Sequence, residues 1–122
     1  MILVDTSVWI DHLRSNDEAL VYWLNQGQVL THPCVVGEIA LGNLKKRESV
    51  LGALNELRSV SVATDQEVIS FIENNQLFGH GIGYVDAHLL AAVRLTPGAT
   101  LWTRDKRLRI VGDRLGLTLL ER

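Results

Sequence analysis

Four acidic residues, Asp5, Glu38, Asp86 and Asp105, stand where the surrounding sequence gives a carboxylate no structural task of its own. Asp5 ends the apolar run Ile2-Leu3-Val4 and is followed at once by Thr6 and Ser7. The run reads as a short buried strand, and ligands of open α/β sheets collect beyond the carboxyl ends of the strands. Asp86 lies in Tyr84-Val85-Asp86-Ala87-His88-Leu89-Leu90, with leucines three and four positions on. Helix geometry puts those three on one face, so the carboxylate turns toward the sheet. A lone carboxylate buried there is costly, and a helix N-terminus returns only up to about 1 kcal/mol at ordinary exposure. Locally, Asp86 also fits an N-terminal cap, Glu38 a half-exposed helical acid, and Thr103 or Asp105 the cap of a following helix.

The chemistry emerges when the four are taken jointly. Two unit charges about 4 Å apart repel by roughly 4 kcal/mol at an effective dielectric of 20. Four such groups would shed protons or stay apart unless a cation joined them. All-oxygen ligation points to Mg²⁺ or Mn²⁺ rather than zinc. His12, His32, His80 and His88 show no metal-ligand spacing, and the single Cys34 has no partner for zinc or a disulfide. Glu18 and Glu67 read as third residues of capping boxes opened by Ser15 and Thr64, which accounts for them without chemistry. Gly79, Gly81 and Gly83 resemble a phosphate loop only loosely, because they do not follow the first strand; they read as a loop giving access to Asp86 or as a connector.

The elements that must position these residues are legible as an alternation. Strands are expected at Ile2–Val4, Val29–Leu30, Val60–Ala63, Ala99–Trp102 and Leu117–Leu120. Helical patterns lie near 7–13, 17–26, 33–57 with a break near 42–46, 65–75, 84–95 and 105–115. Such alternation predicts a parallel sheet covered on both faces. Pro33 suits a first helical turn, Gly116 a helix stop, and Thr96-Pro97-Gly98 a turn. Trp9, Trp23 and Trp102 could stack bases, but each fits an apolar stripe or strand better.

With 122 residues, 47% hydrophobic and 21% charged, the chain is expected to be one globular domain spanning 1–122. No apolar run approaches the roughly 20 residues of a membrane span, and the start lacks the marks of a signal peptide, so a cytoplasmic protein is expected. Net charge is −2, yet eight of twelve basic residues form two clusters: Lys45, Lys46 and Arg47, then Arg104, Lys106, Arg107, Arg109 and Arg114. Each is read equally well as a solvated face or as a nucleic-acid contact.

The motifs Val4-Asp5-Thr6-Ser7-Val8-Trp9, Val36-Gly37-Glu38-Ile39-Ala40, Gly83-Tyr84-Val85-Asp86-Ala87-His88 and Trp102-Thr103-Arg104-Asp105, in that order, resemble a PIN domain. The likeness is to VapC-type toxins of type II toxin–antitoxin modules, and it covers essentially the whole chain. It implies a three-layer α/β/α sandwich with a five-stranded parallel sheet, a homodimer, and Mg²⁺- or Mn²⁺-dependent endoribonuclease activity. It further implies that Asp5 and Asp86 are the principal metal ligands, with Glu38 and Asp105 completing the acidic site and Thr103 orienting a ligand or water. A VapB-like antitoxin is the implied partner, with the helices carrying Trp9, Leu13, Leu41 and Leu44 as its candidate groove. On this reading an RNA phosphodiester is hydrolysed by metal-activated water, Thr6 and Ser7 support the acids, and Arg104, Lys106 and Arg107 hold flanking phosphates.

Three rivals fit less well. A response-regulator receiver needs a phosphoacceptor Asp after its third strand, and none lies between Leu51 and Ala63. A haloacid-dehalogenase-type phosphatase needs a second Asp where Ser7 stands. A PIN-fold binding platform would be expected to have lost some of its acids, whereas this chain keeps four.

Overall fold

A computed structural model describes residues 1–119. Four parallel strands, β1 (Ile2–Val4), β2 (Val29–Thr31), β3 (Arg58–Ser59) and β4 (Thr100–Trp102), form a sheet in the order β3-β2-β1-β4. The connections hold helices α1 (Thr6–Ser15), α2 (Glu18–Asn25), α3 (Pro33–Ala40), α4 (Arg47–Glu56), α5 (Asp65–Asn75) and α6 (Tyr84–Leu95), and α7 (Lys106–Leu115) follows β4. The chain steps outward from β1 to β2 to β3, then returns past β1 to β4. Right-handed crossovers therefore place α1–α4 on one face and α5–α7 on the other. The reversal makes β1/β4 the topological switch point, where open α/β sheets bind ligands.

The register there pairs Leu3 with Leu101 and Val4 with Trp102. Leu3, Val4, Leu101 and Trp102 are buried, as strands covered on both faces require. Leu20, Val35, Leu89, Leu90 and Leu108 close over them from helices on both sides. Trp9 and Trp102 are core residues and Trp23 packs against the core, so the tryptophans serve packing.

Local signals and local structure agree at three helix ends. Thr64 and Glu67 form the reciprocal capping box, Pro33 opens α3, and Gly116 ends α7 in the left-handed region at φ 71°. The expected Ser15 box is absent. Asp17 caps α2 instead, accepting from Leu20 N, which leaves Glu18 in the first turn. Both candidates are small polar residues, and the chain geometry at Asn16 (φ 30°) favours the later one.

Two strands differ from expectation. β3 is Arg58–Ser59, not Val60–Ala63, and its residues are exposed. Val60 and Ala63 are buried, but Ser61 gives its N–H to Thr96 Oγ1 at 3.0 Å rather than to a ladder. Val60 N still donates to Thr31 O at 3.0 Å, so pairing with β2 ends at the first residue of the expected stretch, and Ser61 and Val62 after it are exposed. The expected fifth strand is reduced to one parallel bridge, Leu101 to Thr118, flanked by Leu101 N–Leu117 O and Leu119 N–Leu101 O bonds of 2.7 and 2.8 Å. Leu120, the last residue of that expected strand, lies outside the described residues.

Leu3, fully buried in the strand that precedes Asp5, anchors this edge. Leu3→Ala is expected to cost about 2–5 kcal/mol, read as a lower melting temperature and urea midpoint with an unchanged far-ultraviolet spectrum in the folded baseline.

Candidate active site

Each of the four acids comes from a different element at the carboxyl edge of the sheet. Asp5 follows β1, Glu38 lies on α3 after β2, Asp86 is in the first turn of α6, and Asp105 caps α7 just after β4. The backbone registers them, because Asp5 N donates to Trp102 O at 2.9 Å and so continues the β1/β4 pairing.

Hydroxyl groups then fix the carboxylates. Asp5, only 6% exposed, receives two bonds at Oδ2, from Thr103 Oγ1 at 2.7 Å and Ser7 Oγ at 2.8 Å. Thr103 Oγ1 in turn accepts the Asp105 N–H at 3.0 Å, and Ser7 Oγ accepts the Arg104 N–H at 3.0 Å. Thr6 Oγ1 donates to Glu38 Oε1 at 2.7 Å, tying α1 to α3. Asp105 Oδ1 accepts Leu108 N at 3.0 Å, so its capping role and its place in the cluster coexist. Thr6, Ser7 and Thr103 thus act through hydrogen bonds to the acids or their neighbours.

Asp86 sits at the centre of the electrostatics. Burial pushes its carboxyl above the ordinary range, and the charges of Asp5, Asp105 and Glu38 push it further; the Gly83 N–H, 3.1 Å from Oδ2, opposes them only in part. The helix is capped by Gly83 rather than by Asp86, which stands third in the helix and reaches back to the Gly83 N–H. The carboxylates of Asp5, Asp105 and Glu38 each contribute to the upward push on Asp86 from a different element.

The donor set suits a hard divalent cation. It consists of carboxylate oxygens, those of Asp5 and Glu38 braced by hydroxyls and those of Asp86 and Asp105 by backbone N–H groups, without histidine or thiolate. Among the described residues no three acidic, histidine or cysteine side chains are already drawn around one point.

The nearby cations divide their work. Arg104 donates from Nη1 to Asp11 at 2.9 Å and from Nη2 to Asp17 at 2.6 Å, with its guanidinium 5.3 Å from the Trp102 ring centre. Burial raises the Asp17 carboxyl, but the Arg104 bond and charge with the Leu20 N–H outweigh it and leave the group below its usual range. Arg104 was expected at phosphates; its side chain braces α1 and the α2 cap, while its backbone holds Ser7. Arg109 Nη2 donates to Thr103 O at 2.7 Å, and Arg47 donates to Ala40 O and Gly42 O behind α3. Lys106 and Arg107 are exposed at the start of α7, beside Asp105.

Beside the acids lies a second polar group that the sequence did not reveal. Asp65 Oδ1 accepts from Tyr84 Oη at 2.9 Å and contacts His88 Nε2 at 3.0 Å, pinning the turn of α6 that carries Asp86. His32 caps α3 through Nδ1, which accepts Cys34 N at 2.9 Å. Burial, with the neighbouring His88, lowers its pKa to about 4, so it stays neutral. Pro33 was the available signal for a cap at position 32; nothing in the sequence linked Asp65 to His88.

Comparison with known proteins agrees with this geometry. The PIN domain family matches residues 2–114. Ribonuclease VapC32 from Mycobacterium tuberculosis, strains CDC 1551 / Oshkosh and ATCC 25618 / H37Rv, is 48% identical over 121 residues, covering 99% of this chain and 98% of the relative. The carboxyl-edge acids on a parallel sheet and this full-length similarity lead to one statement: the chain belongs to the PIN domain family, as a ribonuclease of the VapC type.

Proposed function

We propose that the protein is a divalent-metal-dependent endoribonuclease toxin, the effector of a VapBC-type module, that cuts RNA and so inhibits translation and growth. The observation that carries this reading is the placement of Asp5, Glu38, Asp86 and Asp105 on or after separate elements at the carboxyl edge of the sheet, with Asp5 and Glu38 braced by Thr103, Ser7 and Thr6. Asp5 and Asp86 are the principal ligands of Mg²⁺, or Mn²⁺ in its place, with Glu38 and Asp105 completing the set. When bound, the ion supplies neutralisation of charge on the phosphoryl oxygens and acidification of water.

The chain's own residues supply the positioning. Thr103 and Ser7 fix Oδ2 of Asp5, so its carboxylate keeps one orientation. Thr6 holds Oε1 of Glu38, which leaves Oε2 to orient the attacking water and accept its proton. Lys106 and Arg107 hold phosphates that flank the cut without reading bases. As water attacks phosphorus the P–O3′ bond breaks and the leaving 3′-oxygen takes a proton from solvent, so the 2′-hydroxyl is dispensable and products carry 5′-phosphate and 3′-hydroxyl ends.

A VapB-like antitoxin is the proposed partner, and the protein is proposed to work in the cytoplasm as a homodimer. Among the described residues no helix is long and apolar enough to cross a membrane. Leu41 is 90% exposed and Ile10 and Leu13 are partly open on α1, which supports an apolar docking face there. Trp9, expected in that groove, is buried at 6% exposure because it follows Val8 onto the sheet side of α1; it is unavailable to a partner.

Purified protein incubated with total cellular RNA is expected to cut it with Mg²⁺ or Mn²⁺ and to stop in EDTA. Mapped ends carrying 2′,3′-cyclic phosphate would reject the water mechanism. Asp86→Asn is expected to lower cleavage at least 100-fold, roughly the size of losing one preorganised charge-stabilising group, with the fold retained by circular dichroism.

The same carboxyl sets a stability dependence. A raised folded-state pKa means the folded protein holds the Asp86 proton at pH values where the unfolded chain has lost it. Stability from this group therefore falls as pH climbs from the ordinary carboxylate range through the raised value. In EDTA at neutral pH, Asp86→Asn is expected to melt a few degrees above the natural chain. The gap should close in acid, where both forms are neutral, and added Mn²⁺ should stabilise the natural chain alone. A variant that melts lower at every pH would contradict the repulsion.

A further inference from the structure

Beyond the acidic centre, one stretch of surface combines cations, apolar side chains and a loop held at both ends. Three residues of α7, Arg107, Ile110 and Arg114, fall at i, i+3 and i+7 and share one stripe about 10 Å long. The chain from Gln76 to Gly83, which leads into α6 and Asp86, lies along it. Arg114 Nη2 donates to Asn75 O at 3.1 Å, at the end of α5, and Arg114 Nη1 lies 3.3 Å from His80 Nε2. At the other end the Arg107 side chain lies over Gly81, where a Cβ would stand 3.1 Å from Cδ and 3.2 Å from Nη1. Gly81 also has φ 79°, so a side chain there is opposed twice.

The loop holds Phe78 outward at 62% exposure, although its neighbour Leu77 is buried. Ile110 is 59% exposed between the two arginines. An exposed phenylalanine forgoes the burial that its neighbour Leu77 obtains. The loop is not loosely placed, since Arg114 fixes one end and Arg107 packs on the other. The loop that carries this exposed ring is held against a cationic helix face at Asn75 and Gly81 and leads into the helix of Asp86, a combination that matches what a single strand requires. Its phosphates need positive charge, and its bases need a flat apolar surface that accepts any of the four.

We infer that the Phe78–Gly83 loop and the Arg107–Ile110–Arg114 face of α7 form a single-stranded RNA track. Resting on the endoribonuclease reading, it holds the substrate on one side of the cut. Phe78 stacks on an unpaired base, and Arg107 holds the phosphate next to it. Arg114 acts as the strut that keeps the loop against α7. The track selects for unpaired RNA by shape and stacking, and it reads no base edges.

The test measures binding apart from cleavage. The full chain carrying Asp86→Asn is titrated, with magnesium present, against a fluorescein-labelled single-stranded RNA of mixed sequence, and anisotropy is followed. Added Phe78→Ala is expected to weaken binding about 5- to 100-fold, the range of one lost base–aromatic stack, while Phe78→Trp restores it. Arg107→Ala should weaken binding and flatten the salt dependence by about one phosphate contact. Arg58→Ala, an exposed cation on the opposite edge strand, should bind like its parent. Unchanged affinity in Phe78→Ala, or an equal loss in Arg58→Ala, overturns the track and leaves the patch to a protein partner. Cleavage of total RNA by the natural chain is scored separately. A nuclease whose Phe78→Ala variant binds normally thus refutes the track alone, and a chain that cleaves no RNA refutes the underlying activity.

Discussion

Pairing of β1 with β4 is the constraint on which the site depends. Val4 opposite Trp102 brings the residues after each strand, Asp5 and Thr103, into contact across the switch point of the sheet. That single register converts positions nearly a hundred residues apart into one hydrogen-bonded unit. A slip of one residue would turn every following side chain to the other face. The buried leucines on either side make such a slip expensive, so the hydrophobic core is what keeps the carboxylates in place.

The site must hold like charges close together, and it does so with neutral donors. Thr103, Ser7 and Thr6 each spend their one hydroxyl proton on a carboxylate. Their lone pairs then collect the N–H groups of Asp105 and Arg104, so the loop after β4 is ordered by the same atoms. An arginine in these places would have ordered the acids more strongly, but it would have neutralised the charge a cation needs. The cations that do approach are turned elsewhere. Arg104 faces Asp11 and Asp17 on the far side of Ser7, and Arg109 faces a carbonyl.

The basic clusters show why composition and position are different kinds of information. Counting placed Arg47, Arg104, Arg109 and Arg114 with the other cations as equal candidates for phosphate. The fold uses Arg47 and Arg114 on carbonyls near helix ends, where a guanidinium satisfies oxygens that would lack partners. Lys106 and Arg107, at the exposed start of α7, keep a position suited to a polyanion.

The sequence by itself determined the elements with strong local chemistry. The Thr64–Glu67 box, Pro33, Gly116 and the leucines beside Asp86 each carry their physics within a few residues, and each marked its element correctly. It also singled out the four acids by position, although Asp105 caps α7 and Asp86 accepts the Gly83 N–H, so two of them have local hydrogen bonds as well. It could not place β3, since pairing of the exposed Arg58–Ser59 depends on β2 and not on hydrophobicity. Nor could it choose Asp17 over Ser15 as the cap, connect Asp65 to His88, or send Arg104 to Asp11. Those outcomes rest on contacts between distant segments, whose energies depend on distance and orientation in space. The sequence supplied the charges; only tertiary packing decided which of them would meet.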